Sequence, residues 1–214
     1  MKSKYIIKRI FIKNMFDKMD SFGYFILICM IGLCLYKYFD SDEFQLKCIV
    51  STVDGNKYCI RERQKLQEAA DLLARVTKKM QDLVDYVYTT YPEDPRSKRL
   101  KSGFNPNKIM ETLPTSELTA FSLNKGEQIS LCLNKTKKDE NTLIDEHTLT
   151  FVAIHELSHI CTESIGHKKD FWENFQQMLI WAKEGGIHEP KPYKKEPVEY
   201  CGMKINDNPY YDLK

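Results

Sequence analysis

The feature that most constrains this chain is the run His155-Glu156-Leu157-Ser158-His159, which follows the apolar stretch Phe151–Ile154. On a helix, residues four apart face the same way, so the two imidazoles can bind one ion. Glu156 lies beside the first imidazole, where its carboxylate can contact a water on that ion. The spacing therefore predicts a Zn²⁺ site with His155 and His159 as ligands and Glu156 as the catalytic base.

A catalytic zinc ion takes three protein ligands and keeps one position open for water. His167 is the preferred third ligand, because Gly166 before it can end the helix and let the chain turn back. Glu163 is the alternative, since it lies another four residues along the helix from His159. Over four residues, however, a helix rises about 6 Å and its side-chain direction drifts by about 40°. Three ligands from one straight helix would therefore converge poorly on one ion. We expect His167 to be the third zinc ligand, and Glu163 remains the alternative.

This site predicts a hydrolase of peptide bonds that acts on a protein or peptide. Glu156 would accept a proton from a metal-activated water and pass it to the departing amine. Two alternatives remain: a non-catalytic, membrane-tethered zinc-binding scaffold and a zinc hydrolase of a non-peptide amide. An intact Glu156 argues against the scaffold, because a structural site needs only ligands.

Several other side chains are candidates for secondary roles around this site. A second oxyanion donor could be a tyrosine, with Tyr193, Tyr200 and Tyr210 as the candidates. His147 is expected to be a surface or capping residue. His188 is either a substrate contact or exposed to solvent.

Hydrophobic periodicity indicates an α+β domain around the motif. The predicted elements are a hairpin within residues 40–60, a helix over 61–91, a solvated loop over 92–107, a hairpin over 118–133, a helix over 141–164 and a helix over 169–183. The active-site helix thus lies between an edge hairpin and a closing helix.

The first forty residues predict a membrane anchor. Basic residues crowd positions 1–20, and the segment 21–39 is apolar except for Lys37. Nineteen helical residues would span about 28 Å, close to the thickness of bilayer hydrocarbon. The prediction is a basic cytoplasmic tail (1–20), a single transmembrane helix (21–39) and a zinc metallopeptidase domain (40–214). The positive-inside rule then places that domain on the exoplasmic or lumenal side.

Charge and cysteines add two expectations. The formal net charge of +2 is too small to indicate a nucleic-acid partner, so none is expected. Cys48 and Cys59 flank a turn and could pair across a hairpin in an oxidising compartment. Because Cys132, Cys161 and Cys201 bring the domain's cysteines to an odd number, at least one thiol is expected to stay free.

The run from His155 to His159, followed by His167-Lys168-Lys169-Asp170-Phe171-Trp172, resembles the zincin-like metallopeptidases of the WLM, SprT-like and YgjP-like group. Their pattern is H-E-L-x-H, a short gap, then His-x-x-x-Phe-Trp. The resemblance implies a zincin-like fold, His155, His159 and His167 as zinc ligands, and Glu156 as base. It also implies that the Phe171-Trp172 pair packs the closing helix onto the site and that the outer strand of the hairpin aligns an extended peptide.

The chain departs from that group in two ways. The gap between His159 and His167 is longer than in the YgjP-like proteins. The predicted anchor and the lack of a strong basic patch differ from the soluble members that cleave proteins crosslinked to DNA, so the substrate does not carry over. The C-terminal run from Tyr193 to Tyr211 resembles membrane-anchored members from large DNA viruses.

Overall fold

The computed structural model describes residues 20–39, 46–137 and 142–212. The chain divides into two compact units, residues 1–44 and 45–214. The described part of the first unit is Asp20 followed by one helix, α1 (Ser21–Phe39). The predicted basic tail lies outside the described residues, apart from Asp20.

Helix α1 does not have the properties of the predicted membrane anchor. No helix within residues 20–39, 46–137 and 142–212 is long and apolar enough to cross a membrane. Lys37 places a charge in the last turn of α1. The apolar run between Ser21 and Lys37 covers only about 22 Å at 1.5 Å per residue, against roughly 30 Å of hydrocarbon. The predicted transmembrane helix is therefore wrong, and so is the predicted topology with an exoplasmic or lumenal domain, which depended on it.

The second unit contains a five-stranded sheet with the strand order β1-β2-β3-β5-β4. Its strands are β1 (Leu46–Val50), β2 (Lys57–Arg61), β3 (Ile109–Glu111), β4 (Ala120–Leu123) and β5 (Gln128–Leu131). Strands β1 and β2 form one antiparallel hairpin, β4 and β5 form another, and β3 pairs parallel to β2 and β5. Strand β4 is an edge of the sheet, as predicted for the outer strand of its hairpin.

Helices and a small second sheet complete the unit. They are α2 (Leu66–Thr90), α3 (Pro95–Gly103), a 3-10 turn (Pro106–Lys108), α4 (Glu146–Cys161), α5 (Lys169–Glu184), β6 (Val198–Tyr200), β7 (Met203–Ile205) and α6 (Pro209–Asp212). Helix α4 contacts α2, α3, α5 and strands β4 and β5, so it lies at the centre of the unit. The α+β class is the predicted one.

Helix α4 is central because it is apolar on nearly every face. Leu149, Ala153, Ile154 and Leu157 are all buried, as expected for a helix in the interior of a domain. The helix begins later than residue 141, because Asp145 is its N-cap and accepts a hydrogen bond from the Thr148 amide at 2.9 Å.

The predicted solvated loop over residues 92–107 is wrong, because α3 occupies much of it. The Asp94 side chain caps this helix by accepting a hydrogen bond from the Arg96 amide at 2.8 Å, and Pro95 occupies its first turn. Both are ordinary helix-start signals. Leu100 buries its side chain completely and thereby attaches α3 to the core.

Two disulfides link parts of the second unit. Cys48 and Cys59 lie directly opposite each other on β1 and β2 and are bonded, which confirms the predicted pair. Cys132, just after β5, is bonded to Cys201 in the turn between β6 and β7. Cys161 is the free, buried thiol of this unit, in accord with the odd count.

Candidate metal centre

Three histidine side chains meet at the surface of α4. His155 and His159 lie one turn apart on the same face of this helix, and His167 comes from the loop between α4 and α5. Gly166 allows that loop to turn back, since its φ of 79° is in the left-handed region. The Nε2 atom of His167 lies 3.0 Å from Nε2 of His155 and 3.1 Å from Nε2 of His159.

This cluster fits a zinc ion. One ligand atom of each histidine lies within 4.8 Å of the others. In a tetrahedral site with Zn–N bonds of 2.0–2.1 Å, neighbouring nitrogens are about 3.3 Å apart, which is close to the separations seen here. An all-imidazole donor set is one that zinc accepts readily.

The surroundings also keep the three imidazoles in their neutral, metal-binding form. Burial, with help from the neighbouring histidines, lowers the pKa of His155 to about 3. Burial lowers the pKa of His159 to about 4 and lowers the pKa of His167 as well. Each ring therefore has an unprotonated nitrogen at neutral pH.

Glu163, the alternative third ligand, lies outside the cluster. Its side chain is exposed, and its Oε1 atom forms an ion pair with Nη1 of Arg99 at 2.8 Å. The geometry favours His167 as the third donor.

Glu156 is buried beside His155. Only 2% of its surface is exposed, and its Oε2 atom has no hydrogen-bond partner among the described residues. Burial raises the pKa of this carboxyl to about 8. A cation held by the histidines would lower that pKa again, because an opposite charge favours the ionised form. A polar group in the adjoining cleft, such as a water, would satisfy the unpaired oxygen.

The closing helix α5 packs its aromatic residues against the cluster. The Phe171 ring stacks on His159 with 4.3 Å between centroids and lies 4.9 Å from His155. Trp172 lies 5.7 Å from His167. This is the packing of the Phe171-Trp172 pair that the family resemblance implied, and it restricts rotation of the imidazoles.

Two cations that the sequence analysis missed hold the C-terminal end of α4. The Lys125 Nζ atom donates hydrogen bonds to the carbonyl oxygens of His159 at 3.0 Å, Thr162 at 2.7 Å and Ser164 at 2.7 Å. The Arg99 Nε atom donates to the carbonyl oxygen of Cys161 at 2.6 Å. These bonds satisfy carbonyls at a helix end and complement its dipole. They also position the start of the loop that carries the third histidine.

A cleft runs past the cluster along β4. It has two cavities, of about 400 Å³ and 450 Å³, and His155, Glu156 and His167 line both of them. The first lies toward the start of β4, between α4, α5 and the C-terminal segment. The second lies toward the end of β4 and is bounded by Lys125 and Ile165. Edge strand β4 thus forms one wall of the cleft on each side of Glu156.

His147 is partly exposed in the first turn of α4, as expected of a surface residue, whereas His188 does not behave as predicted from sequence. His188 is only 5% exposed and lines neither of these two cavities, so it is not a solvent-exposed residue. Its ring lies 4.3 Å from that of His147, whose Nε2 atom is 2.7 Å from the carbonyl oxygen of Glu189. The pair helps to join the start of α4 to the segment after α5.

Of the three candidate tyrosines, Tyr200 lines the first cavity, and Tyr193 and Tyr210 line neither. The Tyr200 hydroxyl accepts a hydrogen bond from the Cys132 amide at 3.0 Å and donates one to the carbonyl oxygen of Thr119 at 3.5 Å. Tyr193 is completely buried. The geometry therefore supports none of them as a free oxyanion donor.

No known protein-family profile matches this sequence. It is similar to uncharacterized protein R325 of Acanthamoeba polyphaga mimivirus, with 25% identity over 166 residues, which cover 75% of this chain and 82% of that protein. It is also similar to proteins 136R of Invertebrate iridescent virus 6 (32% over 102 residues) and 042R of Invertebrate iridescent virus 3 (34% over 101 residues). Each of these two matches covers 47% of this chain, and they span 55% and 57% of the relatives' lengths.

All three relatives are viral, in agreement with the viral resemblance of the C-terminal run. Among solved structures, the chain is similar to Wss1 from Saccharomyces cerevisiae, with a TM-score of 0.44 and 17% identity over 59% of this chain and 89% of that one. At this TM-score the likeness carries no conclusion about activity or substrate.

Proposed function

We propose that this protein is a zinc-dependent peptidase whose metal is held by His155, His159 and His167. The observation that carries the proposal is the convergence of three imidazole Nε2 atoms beside the buried carboxyl of Glu156. This group lies in the middle of a cleft walled by an edge strand. Ligands and a neighbouring acid in an accessible cleft are what metal-assisted hydrolysis requires.

When bound, zinc would polarise the substrate carbonyl and make water more acidic. Glu156 accepts the proton of the attacking water and delivers it to the departing nitrogen. Burial alone raises the pKa of this carboxyl, and a cation held by the histidines would lower that pKa again, so in the metal-bound site Glu156 would be ionised and able to take up a proton. Phe171 and Phe175 shield the imidazoles on the protein side, with Phe175 5.1 Å from His155.

The shape of the cleft supports a peptide substrate over a small amide. Strand β4 pairs with β5 on one side, and on its outer side it has no strand partner among the described residues. An extended peptide can add to such an edge through main-chain hydrogen bonds. The cavities on both sides of Glu156 then accommodate residues before and after the bond to be cleaved.

The test compares zinc content and casein hydrolysis for the full chain and three variants. Wild type is expected to bind about one zinc per chain and to cleave casein. Glu156→Gln is expected to keep the metal but lose at least 100-fold in rate, since general base catalysis typically contributes 10²–10⁴-fold. His159→Ala should lose both properties, whereas His147→Gln, outside the cluster, should lose neither.

Two results would overturn the proposal. Unchanged hydrolysis in Glu156→Gln would exclude this residue as the base. A wild type that binds zinc tightly yet cleaves no protein or peptide would favour a non-catalytic zinc scaffold.

A further inference from the structure

The cavity of about 400 Å³ beside the histidine cluster has several buried apolar side chains in its walls. Its walls include Phe151, Val152, Phe175, Tyr200 and Ile205, each at most 9% exposed. The volume is at the lower end of the ~300–1,000 Å³ typical of ligand pockets, which gives room for one large side chain and its backbone. Lys204 and Asp207 are the charged residues on the C-terminal side of this cavity.

We propose that this cavity is the subsite that selects the substrate, and that it accepts a bulky apolar side chain, aromatic or leucine-like, on the carboxyl side of the cleaved bond. The inference rests on the proposed peptidase function. It adds the substrate class and names Val152, Phe175 and Ile205 as specificity-determining residues.

The direction of β4 determines which side of the cleaved bond the cavity serves. Thr119, just before the strand, lines the apolar cavity, Ala120 lines both cavities, and Phe121 and Ser122 line the second. Strand β5 already pairs antiparallel to it, and antiparallel pairs are the commoner kind. A substrate that pairs antiparallel to β4 enters by the second cavity and leaves by the apolar one. Glu156 lines both cavities, so the bond to be cleaved lies where the two cavities meet. The apolar cavity then holds the residue that follows this bond.

The two cavities share Leu118, Ala120, His155, Glu156 and His167, and they differ in the side chains of their remaining walls. The second cavity adds the polar residues Ser122, Asn124 and Lys125, whereas the first adds the buried apolar residues named above. Leu118, which lines both cavities, and Met203, which lines the first of the two, are 56% and 49% exposed. An apolar substrate side chain would bury surface that otherwise contacts water.

The outer wall of the apolar cavity is preformed. The β6–β7 hairpin is held by the Cys132–Cys201 disulfide and by two backbone hydrogen bonds. These run from the Cys201 amide to the Asn134 carbonyl at 3.1 Å and from the Gly202 amide to the Lys135 carbonyl at 2.7 Å. A wall already in position reduces the entropy lost on binding, so side-chain discrimination is expected to be strong.

The first test is a binding measurement that does not depend on turnover. Trp172 lines the cavity, and the other tryptophan, Trp181, is buried under the Arg96 guanidinium. The double variant Glu156→Gln, Trp181→Phe therefore leaves Trp172 as a single fluorescent reporter. Four peptides that differ only in having Phe, Leu, Ala or Asp at one position are titrated against it. The Phe and Leu peptides are expected to bind at least tenfold more tightly than the Ala and Asp peptides.

The second test narrows the cavity from its outer wall. Ile205→Phe should reduce the ratio of kcat/KM for the Phe peptide to kcat/KM for the Ala peptide at least tenfold. Ile49→Phe, on strand β1 and outside both cavities, is the matched control and should leave this ratio unchanged. Zinc content confirms that both variants retain the metal centre.

The outcomes separate the two proposals. Equal binding and equal cleavage of all four peptides would overturn the subsite while leaving the peptidase proposal intact. Preferential binding of the Phe and Leu peptides without any cleavage would support the subsite and count against the proposed reaction. A preference unchanged by Ile205→Phe would also overturn the assignment of this cavity.

Discussion

The ammonium group of Lys125 lies 3.0 Å from the carbonyl oxygen of His159. Lys125 belongs to the turn between β4 and β5 and has a φ of 58°, in the left-handed region. The hairpin that walls the cleft thus also holds the end of the active-site helix and the start of the loop to His167. Strand β4 and the histidine cluster are therefore positioned as one unit.

Replacing Lys125 should loosen the metal centre without unfolding the protein. Lys125→Met removes three hydrogen bonds to carbonyl oxygens at the end of α4. We expect zinc affinity to fall roughly tenfold, the lower end of the effect of losing a group that supports metal ligands. Competition against a chromophoric chelator measures the affinity. Lys108→Met, at an exposed position, is the control, and equal affinity in both variants would contradict the role assigned to Lys125.

The identity of the third zinc ligand can be tested by replacing each of the two candidates, His167 and Glu163, with alanine. His167→Ala removes a donor whose Nε2 atom is 3.0 Å and 3.1 Å from those of the other two histidines, so zinc content should fall to near zero after dialysis. Glu163→Ala breaks only an exposed ion pair with Arg99 and should retain about one zinc per chain. Metal analysis distinguishes them. A reversal of the two results would make Glu163 the ligand.

The two disulfides should differ in their effect on function. Removing Cys132–Cys201, with a sequence separation of 69, frees the wall of the apolar cavity and should destabilise the protein by about 4 kcal/mol from loop entropy. Removing Cys48–Cys59, with a separation of 11, should cost about 3 kcal/mol. Paired Cys→Ser variants are compared by urea unfolding and by peptide preference. Only loss of the first disulfide should weaken the preference for apolar side chains; an equal effect would contradict the proposed wall.

His188 should make the metal-free protein sensitive to mild acid. Burial lowers the pKa of His188 from 6.5 to about 3. Between these two pH values, His188 is protonated in the unfolded chain but stays neutral in the folded protein. The contribution of neutral His188 to the free energy of unfolding is therefore fully present above pH 6.5, and it is lost progressively as the pH falls toward 3. At pH 5 the loss due to this residue is about 2 kcal/mol.

Other groups titrate over the same range, so the measurement is a difference. His155 and His159 act in the same direction as His188, and Glu156, whose pKa is raised to about 8, acts in the opposite one. Urea unfolding with chelator at pH 7 and pH 5 is compared for wild type and His188→Phe. The variant should lose about 2 kcal/mol less than wild type between these two pH values. An equal loss in both proteins would show that His188 does not carry this sensitivity.

Local patterns determined the elements that the sequence predicted well. The spacing of His155 and His159 puts both on one helix face whatever else the chain does. The alternation around Asn124–Glu127 led to the β4–β5 hairpin, and Cys48 and Cys59 pair across a short turn. Two predictions from local sequence signals were wrong, and each error was confined to one segment of the chain. The Asp94-Pro95 helix start was assigned to a loop, and the charge at Lys37 was given too little weight in the segment 21–39.

The sequence by itself determined that two histidines and a glutamate share a helix, because helix geometry relates residues only a few positions apart. Only the tertiary structure decided how Lys125 supports His159, how Cys132 meets Cys201 and which residues form the apolar cavity. These partners are separated by tens of residues. They come together through packing of the whole core, which neither hydrophobic periodicity nor backbone preference specifies pair by pair.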